Sequence, residues 1–165
     1  MIAVWILAGV VLIFGLTVVF GAPYVPTRKR WAEAALTLTE IEPDDVVVDL
    51  GSGDGTILKL VAKRGARVIG YEINPILVCV SRLRLWRYRH RTSVRMTNYW
   101  HVDLPAETTV VYIFALKRDM RKLSKYLDKQ AKQVQSKHLH IITFGCAIPD
   151  RQPLRKNRSA NLYEF

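Results

Sequence analysis

Val46-Val47-Val48-Asp49-Leu50 runs directly into Gly51-Ser52-Gly53-Asp54-Gly55. An almost wholly apolar run rich in valine reads as a strand buried on both faces, as in a parallel sheet covered by helices on each side. The glycines behind it permit a tight turn and let a ligand approach the backbone closely. A helix is predicted over 56–63, a second strand over 67–71, and a helix opened by Pro75 and reaching His90. Strands over 93–97, 109–114 and 138–144 follow, with a helix over 119–134 whose Met120, Leu123 and Leu127 share one side. Strand and helix alternate, which predicts an α/β fold with a mostly parallel sheet and helices on both faces.

Upstream, prolines at 23 and 26 hold residues 23–27 extended. Thr27 is placed to cap a helix reaching Glu40, with Trp31, Ala34, Ala35 and Leu38 at helical spacing. Downstream, Pro149 and Pro153 leave room for little more than a hairpin ending at 162–165, so the C-terminal part is expected to be reduced.

No side chain carries a charge before Arg28. Residues 2–22 are apolar apart from Thr17 and, as a helix, would be about 31 Å long, roughly one hydrocarbon core. Arg28, Lys29 and Arg30 follow, so positive charge flanks only the C-terminal side. That pattern predicts a single-pass anchor with the remainder on the cytoplasmic or mitochondrial matrix side. The expected division is 1–22 as transmembrane anchor, 23–42 as a pocket-closing segment with a helix, and 43–165 as the α/β domain. The 165 residues carry a formal charge of +11, which suits a surface facing phosphates, those of anionic lipid or of nucleic acid. Arg82, Arg84, Arg87, Arg89, Arg91 and Arg95 form the densest basic run. Cys79 and Cys146 make no disulfide framework, which predicts a reducing compartment. The four histidines lack the spacing of a metal site, and no metal is expected.

The glycine spacing decides the ligand class. A dinucleotide fingerprint is Gly-x-Gly-x-x-Gly, whereas here it is Gly-x-Gly-x-Gly. Asp49 and Asp54 would repel a pyrophosphate. A phosphate-free ligand with an ammonium and a sulfonium suits them better, and S-adenosylmethionine is such a ligand. Glu72, about twenty residues on, ends the second strand, where a carboxylate can accept both ribose hydroxyls. Asn98 follows the third strand beside Tyr99 and Trp100, suited to an adenine edge and face. The expected cofactor set is therefore Asp49, Gly51, Ser52, Gly53, Asp54, Gly55, Glu72, Asn98 and Tyr99. Asn98 capping a turn instead of meeting adenine is the plainer alternative.

With these residues in place the chain resembles the class I methyltransferases, seven-stranded Rossmann-like enzymes that use S-adenosylmethionine. A narrower likeness adds Ala22-Pro23-Tyr24-Val25-Pro26-Thr27, Tyr71-Glu72-Ile73-Asn74-Pro75 and Asn98-Tyr99-Trp100-His101. These are similar to the membrane-anchored protein-lysine methyltransferases whose eukaryotic members modify the ATP synthase c-ring protein and the adenine nucleotide translocase. The resemblance implies that Tyr24 and Thr27 help close the cofactor pocket. It also implies methyl transfer to a lysine of a membrane protein. Phe114, with Ala115 and Leu116, is placed to line a dry slot that lowers the lysine pKa, and Tyr24 to orient the amine. Two alternatives stand beside this: a methyltransferase of lipid or a small amphipathic molecule, and a non-catalytic cofactor-binding module docking on membrane or RNA. Phe-Ala-Leu-Lys after the fourth strand, in place of Asn/Asp-Pro-Pro-aromatic, argues against a nucleic-acid substrate.

Overall fold

A computed structural model describes residues 1, 2, 4, 5, 7–9, 11, 15, 25, 26 and 28–165. Helix α1 (Lys29–Leu36) leads into strand β1 (Val46–Leu50), helix α2 (Thr56–Lys63), strand β2 (Arg67–Glu72) and helix α3 (Pro75–Arg84). Strands β3 (Thr92–Met96) and β4 (Val110–Phe114), helix α4 (Met120–Ala131) and strand β5 (His140–Phe144) follow. The chain ends in β6 (Arg155–Lys156) and β7 (Ala160–Glu164). The sheet order is β3-β2-β1-β4-β5-β7-β6. The first five strands are parallel, whereas β7 runs antiparallel between β5 and β6. β1 lies between β2 and β4, so the strand order reverses beside it, the point at which open α/β sheets hold ligands.

The predicted class therefore stands, with a Rossmann-like sheet of seven strands. All five β1 residues are buried, as their composition requires. Alternate β1 residues serve two cores. Val47 packs with Ala32, Ala35, Leu58, Val61 and Val78 on one face, and Val46, Val48 and Leu50 with Leu123 and Leu127 on the other. The C-terminal part is reduced in a particular way: residues 145–154 between β5 and β6 hold no helix, yet β7 still places Leu162 and Tyr163 in the two cores.

Three helix boundaries differ from expectation. α1 ends at Leu36, not Glu40, where the Thr37 hydroxyl donates to Ala34 O at 2.8 Å and closes the last turn. Arg28 occupies its N-cap without a side-chain bond. α3 stops at Arg84, and a 3-10 turn over Trp86–Tyr88 replaces the rest of the predicted helix. That turn brings the Arg91 carbonyl to Val68 N at 2.8 Å, which starts β3 alongside β2. α4 begins one residue later than Asp119, behind a 3-10 turn, and ends at Ala131.

Among the described residues no helix is long and apolar enough to cross a membrane. The described residues between 2 and 15 are helical, and Ile2, Trp5 and Leu7 among them are exposed. Most of the predicted 1–22 anchor lies outside the described residues, as do Tyr24 and Thr27.

Candidate active site

The strand tips set out the site in order: Asn98 behind β3, Glu72 on β2, Asp49 and the glycine loop on β1, Phe114 on β4, Phe144 on β5. Four inter-strand steps of about 4.8 Å make this edge roughly 19 Å long, enough for an extended ligand and a second reactant.

The glycine loop is held from below. Gly51 N and Ser52 N both donate to Tyr71 O at 2.9 Å. Ser52 sits over Gly70, where a Cβ would come within 2.6 Å of the serine hydroxyl. Gly70 is thus the gap in β2 that lets the loop lie down. Gly51 has φ +93°, and a Cβ there would meet nothing within 4 Å, so its backbone faces open space above the sheet. Gly55, at φ +78°, opens α2, and a Cβ there would strike the Ser81 hydroxyl.

Glu72 ties this loop to the next element. Its carboxylate accepts from Gly53 N and from Asn74 N, both at 2.8 Å. Each oxygen keeps a further lone pair for a ligand hydroxyl. Asn74 then caps α3, its Oδ1 accepting from Ile76 N at 2.9 Å, with Pro75 in the first turn. An Asn-Pro pair ahead of a helix is a legible cap signal. Asn74 thus joins the site's framework although it stands outside the predicted cofactor set.

Asp49 is buried, and among the described residues its carboxylate accepts no hydrogen bond. Burial, then the nearby charges of Glu72 and Asp54, hold its pKa well above the usual carboxylate range. Across the sheet Tyr112 pairs with Asp49 in register. Its hydroxyl is buried without a partner among the described residues, and burial, reinforced by Asp49, raises its pKa. Among the described residues no cation bonds to the Asp49 carboxyl, which lies close to two further acids, Glu72 and Asp54. Asp54 is differently occupied. It accepts from Thr56 N and from the Thr56 hydroxyl, and forms an ion pair of 2.6 Å with Arg84. Its place is at the α2 N-terminus, where a carboxylate complements the helix dipole.

Asn98 Oδ1 accepts from Trp100 N at 3.1 Å and caps a short turn over Tyr99–His101. The capping alternative is the one this contact supports. Tyr99 lies half-buried against Trp100, ring centroids 4.7 Å apart, with Tyr126 edge-on at 6.5 Å. Burial raises the Tyr99 pKa.

On the other side of β1 a cavity of about 380 Å³ opens between Phe114 and Phe144. Val25, Pro26, Arg28 and Trp31 line it with Gly145 and Ser159. The two phenylalanine rings stand 6.1 Å apart. The expected closing segment therefore contributes its described residues, Val25 and Pro26, to this wall. Trp31, Phe144 and Gly145 lie outside the predicted set. Trp31 reads as one face of an amphipathic helix, and nothing local tells that this face meets the tip of β5.

Comparison with known proteins accords with this arrangement. Residues 49–155 match the family described as the ANTKMT methyltransferase domain. The lysine N-methyltransferase of Xenopus laevis named for the ATP synthase C protein is 34% identical over 130 residues, 78% of this chain and 57% of that protein. The chain thus spans little more than half the length of that relative. A protein-lysine N-methyltransferase of Saccharolobus islandicus is 33% identical over 67% of this chain and 70% of that one. Among solved structures, an RNA methyltransferase from Salinibacter ruber in complex with S-adenosyl-L-homocysteine superposes with a TM-score of 0.76 at 27% identity, over 85% of this chain and 93% of that chain.

Proposed function

The chain belongs to the ANTKMT methyltransferase family, and on that premise we propose that it transfers a methyl group from S-adenosylmethionine to a lysine of a membrane protein. The observation that carries this reading is the buried Asp49 carboxyl, without a hydrogen-bond partner among the described residues, set between the open glycine loop and an apolar cavity. A cation fits beside Asp49, a diol fits the remaining lone pairs of Glu72, and the open face of Gly51 admits a ligand to the backbone. The residues present therefore fit the cofactor, which supplies an electrophilic methyl on a positively charged sulfur.

The rest is the work of the chain. A lysine ammonium must lose its proton before it can attack. Phe114, Phe144 and Trp31 give the cavity apolar walls that hydrate an ammonium poorly, and Arg28 adds a like charge at its wall. Both effects favour the neutral amine. The aromatic pair grips the aliphatic stem of the lysine and fixes its approach, and alignment of this kind supplies much of the acceleration in bimolecular displacements. Tyr24 and Thr27 are proposed to complete the wall that Val25 and Pro26 begin.

The uncharged N-terminal segment, followed by Arg28, Lys29 and Arg30, supports membrane anchoring with the catalytic domain on the positively flanked side. Anchoring restricts the cavity to lysines near the headgroups and raises their effective concentration. The Xenopus relative is named for a component of ATP synthase as its substrate, which accords with that class.

RNA is the second reading, because the Salinibacter ruber structure is described as an RNA methyltransferase. The Phe114-Ala115-Leu116-Lys117 stretch favours the lysine. One experiment separates them. Purified chain is incubated with methyl-labelled S-adenosylmethionine and membranes plus total RNA from a strain lacking the protein. Label recovered as methyl-lysine in protein supports the proposal. Label in RNA or in the lipid extract would replace it, and tight cofactor binding without any transfer would leave a binding module.

A further inference from the structure

Helix α3 carries a face that the fold does not use. Leu77, Val78 and Ser81 point into the core, whereas Val80, Leu83 and Trp86 point outward. Leu83 is 79% and Trp86 64% exposed. Val80 and Leu83, three apart on α3, are neighbours on its outer face, and Trp86 follows in the 3-10 turn that succeeds the helix. Met96, exposed on the edge strand β3, adds to the apolar surface beside α3. Several arginines of the basic run are engaged in the fold: Arg82 donates to Val94 O, Arg84 pairs with Asp54, and Arg91 reaches Gly65 O. Arg87 makes no hydrogen bond or ion pair among the described residues, and the Arg89 guanidinium lies 4.9 Å from the Trp86 ring centre. Beyond them a cavity of about 430 Å³ opens along the sheet edge, lined in part by His90, Arg91 and Arg95. Its acidic lining residues, Asp103 and Glu107, are already paired with Lys129 and Arg67.

We propose that this face docks on an anionic lipid bilayer, with Leu83 and Trp86 entering the boundary between headgroups and acyl chains and Arg87 and Arg89 meeting lipid phosphates. An apolar strip rimmed by cations is the pattern of helices that lie in a membrane interface. Arginine extends its stem along the apolar surface and keeps its head among the phosphates. RNA would satisfy the arginines and offer Trp86 a base to stack on, but it offers Val80 and Leu83 nothing. A bilayer supplies charge and apolar volume together, which RNA does not. The inference does not depend on methyl transfer.

The test uses the full chain reconstituted in vesicles of phosphatidylcholine, with or without phosphatidylglycerol, carrying bromine on the acyl chains. Bromine quenches indoles that reach the acyl region. The Trp86 contribution is the difference between the native chain and Trp86→Phe. It is expected to be quenched in the anionic vesicles and not in the neutral ones. Arg87→Gln with Arg89→Gln should lower the ratio of docked to undocked protein by roughly thirtyfold, about fivefold per arginine. Leu83→Ser should lower it as well, and an unchanged circular dichroism spectrum and cofactor affinity would show both variants folded. Trp86 emission unquenched in anionic vesicles, or quenched equally in neutral ones, would overturn the proposal. So would single-stranded RNA shielding Trp86 from iodide where vesicles do not.

Discussion

Asp49 and Glu72 are both buried acids at neighbouring strand tips, yet their environments assign them opposite tasks. Glu72 is satisfied by two backbone amides and acts as a clamp. Glu72→Ala leaves Gly53 N and Asn74 N without an acceptor, and a buried unsatisfied amide costs about 1–3 kcal/mol. A fall in melting temperature together with loss of cofactor binding by calorimetry is expected. Glu72→Gln should fall between the two, since one oxygen remains and the other becomes a donor facing an N–H. Asp49 contributes the reverse. Its folded pKa lies above its unfolded one, so the native state holds more protons, and stability of the ligand-free protein falls as pH rises through the folded value. Asp49→Asn should remove that slope and raise the melting temperature at neutral pH. Cofactor affinity should rise with pH across the same window in the native chain and lie at least tenfold lower, and flat, in the variant. An unchanged affinity in Asp49→Asn would remove Asp49 from the cation site.

Among the elements, the strand–turn–helix unit from Val46 to Lys63 falls at the residues its composition indicates, because burial on both faces and a glycine turn leave one solution. Helix ends are less legible. Periodicity alone carries α3 through to His90, but the close of that segment is set by Val68 in another strand reaching for the Arg91 carbonyl. The polar half of the cleft, which we propose holds the cofactor, is likewise readable from Asp49, the glycines and Glu72. The apolar half is not, since Phe144 and Trp31 meet Phe114 only through the sheet order β4-β5. Gly70 illustrates the same limit. A glycine within a strand marks a close approach, and only the fold shows that Ser52 fills it. Gly70→Ala should displace the loop and weaken cofactor binding tenfold or more. Adding Ser52→Gly should restore part of it, with calorimetry as the measure. Asn74→Ala should cost about 1 kcal/mol through loss of the α3 cap, read by chemical denaturation.

At the scale of the whole molecule, the cleft and the outward face of α3 divide the work. Phe114→Ala is expected to lower kcat for lysine methylation strongly while cofactor affinity stays within about twofold, since the ring stands on the cavity side of β1. β7 holds the loop between β5 and β6 through Tyr163, whose hydroxyl accepts from Ile148 N at 2.9 Å. Tyr163→Phe should lower stability by about 1–2 kcal/mol without altering the kinetics, measured by urea unfolding. The burial of the Asp49 carboxyl has a physiological corollary. A protein that is least comfortable when its cleft holds only solvent gains stability in proportion to the logarithm of donor concentration over the dissociation constant. Cellular turnover of this protein would then follow methyl-donor supply, with starved cells degrading it first and replete cells keeping it.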